Sequence, residues 1–472
     1  MNVEGVSSAR RSPAHRGTKE GVPRPPLSYK EALAWLYSLQ RFGIKLGLEN
    51  IRRLIAELTR KGDFPVAHGG RFAAGRIRPT GGEATAPWKV IHVAGTNGKG
   101  SVCAMIDSIC RAANYRTGLF TSPHLVTFRE RIRVNGEIIS EDAVASGLTN
   151  IRNLVADWQP HPTFFEVATA LALKHFSEAK IDIVILETGL GGRLDATNAV
   201  QSTVAVITPI DLDHQKWLGD SLERIASEKA GIIKSGVPVI SAPQKEEVET
   251  VLRKRADECG SSIEFLNAPH KQYSTNLLGA HQKLNAAVAI GAVRAAKSAG
   301  QPDSSRREIE IDDSAIARGL ATVDWPARFQ RWDERTIIDG AHNPAAARVL
   351  VETWREIFGE QRATLILAIL SDKDLRGICQ ELVPIADSVL LPKIRSERTA
   401  DPKQLAQILS VITPSLQNAS PARTSITPSI GEALKLTRTK PNPILITGSL
   451  HFAGEALAHL RGEPAAFEEC AQ

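Results

Sequence analysis

The sequence KVIHVAGTNGKGS, residues 89–101, decides the fold class, because an apolar run leads directly into a glycine-rich turn and a helical pattern. The turn is similar to a phosphate-binding loop of the form G-x-x-x-x-G-K-[ST] but differs from it twice. Two residues separate Gly95 from Gly98, and Gly100 stands between the lysine and the hydroxyl of Ser101. A strand, a glycine-rich loop and a helix in this order predict an anion site at the helix N-terminus.

The rest of the chain supports an α/β fold class, because strand-like apolar runs alternate with helical patterns. We expect a large P-loop-type parallel-sheet ATPase domain over residues 29–324, followed by a smaller Rossmann-like α/β domain over residues 325–472. Residues 61–87 are rich in glycine, proline and arginine and are expected to form a surface loop. The strand-like runs are residues 90–95, 182–189, 203–210, 238–241, 336–341, 363–370, 387–392 and 443–449.

Charge and cysteine content restrict the classes of partner. The formal net charge is +6, but residues 1–30 alone carry +4, so the excess lies in a basic tail and not in a groove. We therefore expect no nucleic-acid partner. The sequence has no apolar run of about 18 residues, so we expect no membrane span. Five scattered cysteines without CxxC spacing favour a reducing compartment, so we expect a cytoplasmic protein. Residues 1–28 are expected to be a disordered leader; a transit peptide or a misassigned start also fits their composition.

Two further stretches place polar groups where strands end. In LETGLGGRLDATN, residues 186–198, Glu187 stands at the carboxyl end of a buried strand, where α/β sheets place a Mg²⁺-associated carboxylate. The glycines after it form a flexible loop that presents Arg193 and Asp195. His214 follows another strand and is a candidate metal ligand, although a single histidine at such a position is more often structural.

Lys229 is a candidate for unusual chemistry. It lies on a predicted helix beside Ala226 and Ala230, so its ammonium group is expected to be partly buried. Burial lowers the pKa of a lysine, and the neutral amine is nucleophilic toward CO₂. The alternative is an ordinary surface lysine whose stem packs on apolar neighbours. In the second domain, Asp339 and His342 stand where a strand leads into a helix, a position suited to binding a nucleotide or a phosphate-bearing intermediate.

Taken together, these stretches resemble one family, folylpolyglutamate synthase with its bifunctional dihydrofolate synthase form, in the Mur ligase superfamily. The matching stretches are GTNGKGS (95–101), TSPHLVTFRERIRVNG (121–136), LETGLGGRLDATN (186–198), DHQKWLGDSLERIASEKAGIIK (213–234), HQKLNAA (281–287), WPARFQ (325–330), DGAHNP (339–344) and ITGSLHFAGE (446–455). KLGLENI (45–51) is similar to the family's N-terminal substrate segment. The short glycine spacing in the opening loop is the family's own variant. SDKDL (371–375) and HF (451–452) differ from the family's usual residues.

The resemblance implies a set of site residues. The family's ATP-binding positions correspond to Asn97, Gly98, Lys99, Gly100, Asn285, Arg328 and Asp339, with His342 nearby. Its two Mg²⁺ sites correspond to Ser101 for the first ion and to Glu187 with His214 for the second. Its pterin-substrate positions correspond to Leu46, Gly47, Leu48, Thr163, Leu194, Asp195 and Ala196. Lys229 matches the position that is carbamylated in the family, and we expect it to act in catalysis with Lys99 and Asp195.

The function implied is an ATP-dependent ligase that joins L-glutamate to tetrahydrofolate polyglutamates and to dihydropteroate through an acyl phosphate. Its partners would be these small molecules, and the protein is expected to be a monomer. One alternative is another Mur-superfamily ligase acting on a cell-wall peptide precursor, against which the stretch 121–136 argues. A P-loop GTPase would need an NKxD-like guanine-reading motif, which the sequence lacks. A nucleic-acid-binding protein that uses the basic leader is a third alternative.

Overall fold

The computed structural model describes residues 25–62, 88–298, 310–396, 398–412, 422–438 and 440–468. Most of the predicted leader and of the predicted surface loop therefore lie outside the described residues. Within the described ranges, no helix is both long and apolar enough to cross a membrane.

The first unit of the fold is built on an eight-stranded sheet in the spatial order β4-β3-β2-β5-β1-β6-β7-β8. Strands β3 and β4 pair antiparallel at one edge, and the remaining strands pair parallel to one another. The strands are β1 (Lys89–Ala94), β2 (Thr117–Phe120), β3 (Ile132–Val134), β4 (Glu137–Ile138), β5 (Ile183–Glu187), β6 (Val204–Ile207), β7 (Val239–Ser241) and β8 (Ile263–Phe265). The α-helices are α1 (Tyr29–Ser38), α2 (Glu49–Arg60), α3 (Lys99–Ala112), α4 (Glu141–Leu154), α5 (Phe164–Glu178), α6 (Gln215–Leu218), α7 (Leu222–Ala230), α8 (Glu246–Glu258), α9 (Ala280–Ser298) and α10 (Asp313–Thr322).

The second unit is built on a six-stranded sheet in the order β13-β12-β11-β14-β10-β9, in which β9 alone pairs antiparallel. The strands are β9 (Gln330–Arg331), β10 (Thr336–Ile338), β11 (Ala363–Leu367), β12 (Ala386–Pro392), β13 (Arg423–Thr427) and β14 (Ile444–Thr447). The helices are α11 (Pro344–Phe358), α12 (Leu375–Leu382), α13 (Pro402–Ile412), α14 (Ile430–Thr437) and α15 (Leu450–Leu460). The predicted fold class, a large parallel-sheet unit followed by a smaller α/β unit, is confirmed.

Strand β1 sets the position of the site. It lies between β5 and β6, and all but the first of its residues are buried, as expected for a central strand covered on both faces. In the sheet register, Val93 pairs with Glu187 and Ala94 pairs with Ile207. The residues that follow β1, β5 and β6 therefore meet at one edge. Ligands of open α/β sheets bind outside such carboxyl ends.

The two units touch closely at helix α15. A Cβ placed on Gly454 would lie 1.8 Å from the carbonyl oxygen of Leu125 in the first unit, so the helix and the loop are in backbone contact. Gly454 therefore marks a position where a larger residue forces the units apart.

We expect Gly454→Ala to lower the free energy of unfolding by about 1–3 kcal/mol, the usual range for overpacking. Alanine is favoured over glycine in a helix by about 1 kcal/mol, so the clash must exceed that gain. Urea unfolding measures the difference. Gly431→Ala is the control, because its Cβ would meet side-chain atoms and no backbone, the ring of His459 at 3.0 Å and Ser429 Oγ at 3.7 Å. A Gly454→Ala protein as stable as this control would contradict the close contact.

Candidate active site

The glycine-rich loop between β1 and α3 has the backbone of an anion site. Gly95 and Gly98 have φ values of +150° and +88°, which favour glycine. A Cβ would lie 1.9 Å from Thr208 Oγ1 at the first position and 2.9 Å from Asn285 Oδ1 at the second. Gly98 caps α3, so the unpaired N–H groups of its first turn follow the loop. The loop's predicted role is consistent with this geometry.

Hydrogen bonds hold the loop against the end of β6. The backbone N–H groups of Thr96 and Asn97 both donate to the carbonyl of Pro209, at 2.9 and 3.2 Å. Lys99 turns back over the loop and donates to the carbonyls of Gly95 and Thr96, at 3.1 and 3.2 Å. The loop is therefore held in shape by its own hydrogen bonds, with a cation at its carbonyl groups.

Ser101 lies in the first turn of α3 and is buried. Its hydroxyl oxygen accepts a 3.3 Å hydrogen bond from the side chain of Gln282, which in turn accepts from Asn285 at 3.0 Å. The beginning of α9 thus supports both the hydroxyl and Gly98. Asn285 is a predicted ATP contact, whereas Gln282, which bonds to the hydroxyl of the predicted Mg²⁺ ligand, was not predicted from the sequence.

Glu187 ends strand β5 beside the loop. Its side chain is buried, and Oε2 accepts a 3.0 Å hydrogen bond from the backbone N–H of Ser122. Burial raises the pKa of this carboxyl group, while the charges of Lys99, Arg328 and Arg131 act in the opposite direction. Its oxygen donors and its position at the carboxyl end of a strand, beside the phosphate loop, are what suit this carboxylate to a bound metal ion.

Lys229, on α7, reaches the same loop from the opposite side. Its side-chain amine donates a 2.7 Å hydrogen bond to the carbonyl of Gly95, and the residue is 5% exposed. Burial, followed by the charge of Lys99, lowers the pKa of Lys229 to about 7. An ordinary lysine has a pKa near 10.4, so a surface position does not describe this residue.

The carboxylate of Asp195 accepts hydrogen bonds from its own loop. One carboxylate oxygen accepts from the backbone N–H groups of Gly189 and Leu190, at 2.9 and 2.8 Å. The other accepts from the backbone N–H and the hydroxyl of Thr197. Four hydrogen bonds make Asp195 the group that fixes the loop after β5, so its geometry favours positioning over direct proton transfer.

His214 follows β6 and adopts a left-handed backbone conformation with φ of +52°. Its side chain is 43% exposed, and Nε2 lies 4.0 Å from Asp213 Oδ2. Glu187, His214 and Lys229 all lie within the electrostatic influence of the Lys99 ammonium group.

The second unit contributes the turn after β10. Asp339 accepts hydrogen bonds from the backbone N–H groups of Phe329 and Ala341, at 2.7 and 2.8 Å. Burial raises the pKa of Asp339, and the charge of Arg328 opposes that effect. His342 Nδ1 lies 2.9 Å from the carbonyl oxygen of Gly340. Asp339 and His342 thus lie in the turn after β10, and Arg328, which precedes β9, acts on the same carboxyl group through its charge.

Some of the side chains around the phosphate loop are suitable ligands for a divalent ion. Hydroxyl and carboxylate oxygens such as those of Ser101 and Glu187 are the ligands that Mg²⁺ prefers. Among the described residues, however, no group of three or more His, Cys, Asp or Glu side chains is arranged to hold a metal. A carbamate on Lys229 would add one carboxylate to this set.

The predicted substrate segments meet on one side of the first unit. Leu48 immediately precedes α2, Thr163 caps α5, and Asp195 caps the short helix Ala196–Ala199. These three helices pack on one another, and the side chain of Asn50 bonds to Glu166 in the first turn of α5. Leu46 remains 41% exposed in the adjoining loop, whereas Leu194 is half-buried.

A cavity of about 430 Å³ lies between the units, next to the phosphate loop. Gly100 and Glu187 line it from the first unit, and Trp325 and Arg328 line it where the second unit begins. The predicted substrate segments do not line this cavity. Residues 121–130 contribute more of its wall than any other segment, and no site residue was predicted among them from the sequence.

Two interactions organise those walls. Arg131 is fully buried and donates from Nε to His124 Nδ1 at 2.9 Å. The carboxylate of Glu468, from the second unit, accepts from the backbone N–H of Phe128 at 2.6 Å and from the hydroxyl of Tyr29 at 2.9 Å. The contacts of Glu468 join residues more than 300 positions apart, so no local sequence pattern predicts them.

Comparisons with known proteins agree with this arrangement. Residues 93–256 match the Mur ligase middle domain, and residues 327–450 match the Mur ligase glutamate ligase domain. The chain is 31% identical to the dihydrofolate synthase/folylpolyglutamate synthase of Bacillus subtilis, over 92% of this chain and 99% of that protein.

Solved structures share the whole architecture. The Escherichia coli FolC protein in complex with DHPP and ADP aligns with a TM-score of 0.74 and 29% identity, over 94% of this chain and 99% of that one. The bifunctional folylpolyglutamate synthase/dihydrofolate synthase of Yersinia pestis, complexed with AMPPNP and a Mn ion, aligns with a TM-score of 0.75 and 28% identity, over 94% and 100%. The chain therefore belongs to the dihydrofolate synthase/folylpolyglutamate synthase family of ATP-dependent ligases, in the Mur ligase superfamily.

Proposed function

We propose that the protein uses ATP to join L-glutamate to tetrahydrofolate polyglutamates and to dihydropteroate through an acyl phosphate. The observation that carries the proposal is the buried amine of Lys229, bonded to a carbonyl of the phosphate loop. A simple nucleotide switch does not require a second lysine of lowered pKa at this position. The names of the aligned relatives support the acceptor, since they are folylpolyglutamate and dihydrofolate synthases.

The residues divide the work of phosphoryl transfer. The N–H groups of Asn97–Gly100 and the ammonium of Lys99 bind and orient the phosphates, which favours transfer mainly by positioning and charge neutralisation. Asn285, Arg328 and Asp339 hold the rest of the nucleotide, with His342 beside them. The substrate carboxylate then attacks the terminal phosphorus, ADP leaves, and the amine of glutamate displaces phosphate from the acyl carbon. The contact between the units shields the acyl phosphate from water.

Ser101 would hold one Mg²⁺, and Glu187 with His214 would hold a second. A bound divalent ion supplies charge that stabilises the transferred phosphoryl group. The AMPPNP and Mn ion in the Yersinia pestis relative support one such ion. The exposed position of His214 leaves its imidazole accessible for coordination.

Lys229 is proposed to be carbamylated. The neutral amine attacks CO₂, a nitrogen–carbon bond forms, and one proton leaves, so a cation-forming group becomes a carboxylate. With a pKa of about 7, Lys229 is half neutral at neutral pH. The carbamate would then serve the same metal region as Glu187.

Carbamylation is expected to increase with pH through this pKa. About one Lys229 in ten is neutral at pH 6 and about nine in ten at pH 8, for a pKa of about 7. In ¹³C-bicarbonate, the protein at pH 8 should show a carbamate carbon signal that fades toward pH 6. Lys229→Arg is the control and should lack the signal. A signal of equal size in that variant would place the carbamate elsewhere.

The acceptor is proposed to lie against Leu46–Leu48, Thr163 and Leu194–Ala196, where three helix beginnings meet. Asp195 holds this loop in place and is proposed to act on the substrate through it. The cell-wall alternative gains no support from the site or from the relatives named above. We further propose that the protein is a monomer with a domain boundary at residues 324 and 325, just after α10.

Release of ADP tests the proposal. ADP should form from ATP when tetrahydrofolate or dihydropteroate is supplied together with L-glutamate, because acyl phosphate formation commits the nucleotide. A UDP-linked peptide precursor should release none above the background of Lys229→Ala. Release with the peptide precursor, and none with either pterin acceptor, would reject the folate assignment in favour of the cell-wall alternative.

A further inference from the structure

An ion pair outside the predicted site joins the two units. Asp213 follows β6 in the first unit, and Lys373 lies between β11 and α12 in the second. The ammonium of Lys373 is 2.6 Å from Oδ1 of Asp213. The two side chains are 9% and 8% exposed, so water scarcely reaches the pair. Sequence reasoning assigned a role to neither residue.

Asp213 gathers further groups of the second unit. Its Oδ2 accepts a 3.4 Å hydrogen bond from the side chain of Asn343 and lies 3.6 Å from Nε2 of His342. Three side chains of the second unit therefore converge on this carboxylate, those of Lys373, Asn343 and His342.

The same network reaches the phosphate loop. Asn343 donates to Oδ1 of Asn97 at 3.1 Å and accepts from its Nδ2 at 3.4 Å. Asn343 is also the N-cap of α11, where its oxygen accepts from the N–H of Ala346 at 2.8 Å. A rigid path thus runs from the phosphate loop through one amide to a long helix of the second unit.

We propose that Asp213 and Lys373 are positioning residues, which fix the second unit over the phosphate loop so that Arg328, Asp339 and His342 meet the nucleotide. A buried pair with several hydrogen bonds defines one geometry, and removing one partner leaves an uncompensated buried charge. The inference rests on the ATP site of the proposed function but not on the identity of the acceptor.

A second ion pair between the units provides the matched comparison. Lys283, on α9, lies 3.7 Å from Glu356, on α11, and these side chains are 57% and 46% exposed. Exposed pairs of this kind contribute little, because water and salt screen them. Both pairs cross the same boundary, so they differ mainly in burial and in the hydrogen bonds that join Asp213 to Asn343.

ADP binding, measured by calorimetry, tests the proposal without any acceptor. We expect Lys373→Met to weaken ADP binding about tenfold or more, as truncation of a buried charge pair does, and Lys283→Met to leave it unchanged. Lys373→Arg keeps the charge and should recover most of the affinity. Thermal unfolding of each variant establishes that it is folded, and any variant folded at the assay temperature is a valid comparison.

A double-mutant cycle tests the pairing itself. Asp213→Asn together with Lys373→Met should weaken ADP binding no more than the stronger single change, because each change already breaks the same interaction. Fully additive losses would overturn the pairing. ADP affinity of Lys373→Met equal to that of Lys283→Met would overturn the positioning role. If the variants change ADP affinity as expected but the protein does not ligate glutamate to a pterin, the result contradicts the proposed function and not the positioning role.

Discussion

Lys229→Ala is expected to lower the turnover number by roughly 100- to 1,000-fold, the usual cost of removing one preorganised charge from an active site. The reason is the place of this amine, which is buried against the carbonyl of Gly95 and has a pKa lowered to about 7. Alanine lacks the side-chain nitrogen that would carry the proposed carbamate. Steady-state ligation at saturating ATP measures the loss.

Chemical rescue separates a missing carboxylate from a damaged fold. A short carboxylic acid such as acetate should restore part of the turnover of Lys229→Ala, because it can occupy the space that the side chain leaves. The same acid should not restore Glu187→Gln, because the amide side chain still fills the space of the original carboxylate. Lys254, exposed on α8, provides the control, since Lys254→Ala should keep full activity. Full turnover of Lys229→Ala without added acid would end the carbamate proposal.

Glu187→Gln is expected to reduce turnover by a similar factor, roughly 100- to 1,000-fold, while leaving the protein at least as stable. The amide keeps an oxygen for the N–H of Ser122 but removes the charge that a metal ion requires. Burial raises the pKa of Glu187, so folding disfavours its ionised form, and the uncharged amide avoids that cost. Turnover against Mg²⁺ concentration and urea unfolding at pH 8 measure the two effects.

Glu178→Gln is the matched control, because this glutamate is 55% exposed and pairs with Lys174 far from the phosphate loop. It should change neither turnover nor the Mg²⁺ requirement. A Glu187→Gln protein with an unaltered Mg²⁺ requirement would remove Glu187 from the metal site. If Glu187→Gln loses activity because it unfolds, its urea unfolding midpoint will be lower than that of Glu178→Gln.

The sequence predicted those features that depend on neighbouring residues. The glycine spacing of the phosphate loop carries its own geometry, since Gly95 and Gly98 stand where φ is positive. The central strands β1 and β5 are continuous apolar runs because both faces of the sheet are covered. Lys229 could be judged from its apolar helix positions, and its burial is confirmed.

Features that depend on distant pairing were missed. The edge strands β3 and β4 have three and two residues, too few for a periodic pattern, and exist because they pair with β2 and with each other. Asp213 and Lys373 are 160 positions apart, so nothing local indicates that they meet. Helix α15 could have been found, since Ser449 caps it through the N–H of Phe452.

We infer that a buried lysine beside the phosphate loop serves glutamate ligation to a pterin acceptor. The most direct test of this role is incorporation of isotopically labelled L-glutamate into tetrahydrofolate and into dihydropteroate, followed by mass spectrometry of the products. We expect ATP-dependent incorporation into both acceptors by the full chain, and incorporation by Lys229→Ala that is slower by roughly 100- to 1,000-fold. Absence of labelled product from both acceptors, in a folded protein that binds ADP, would contradict the account.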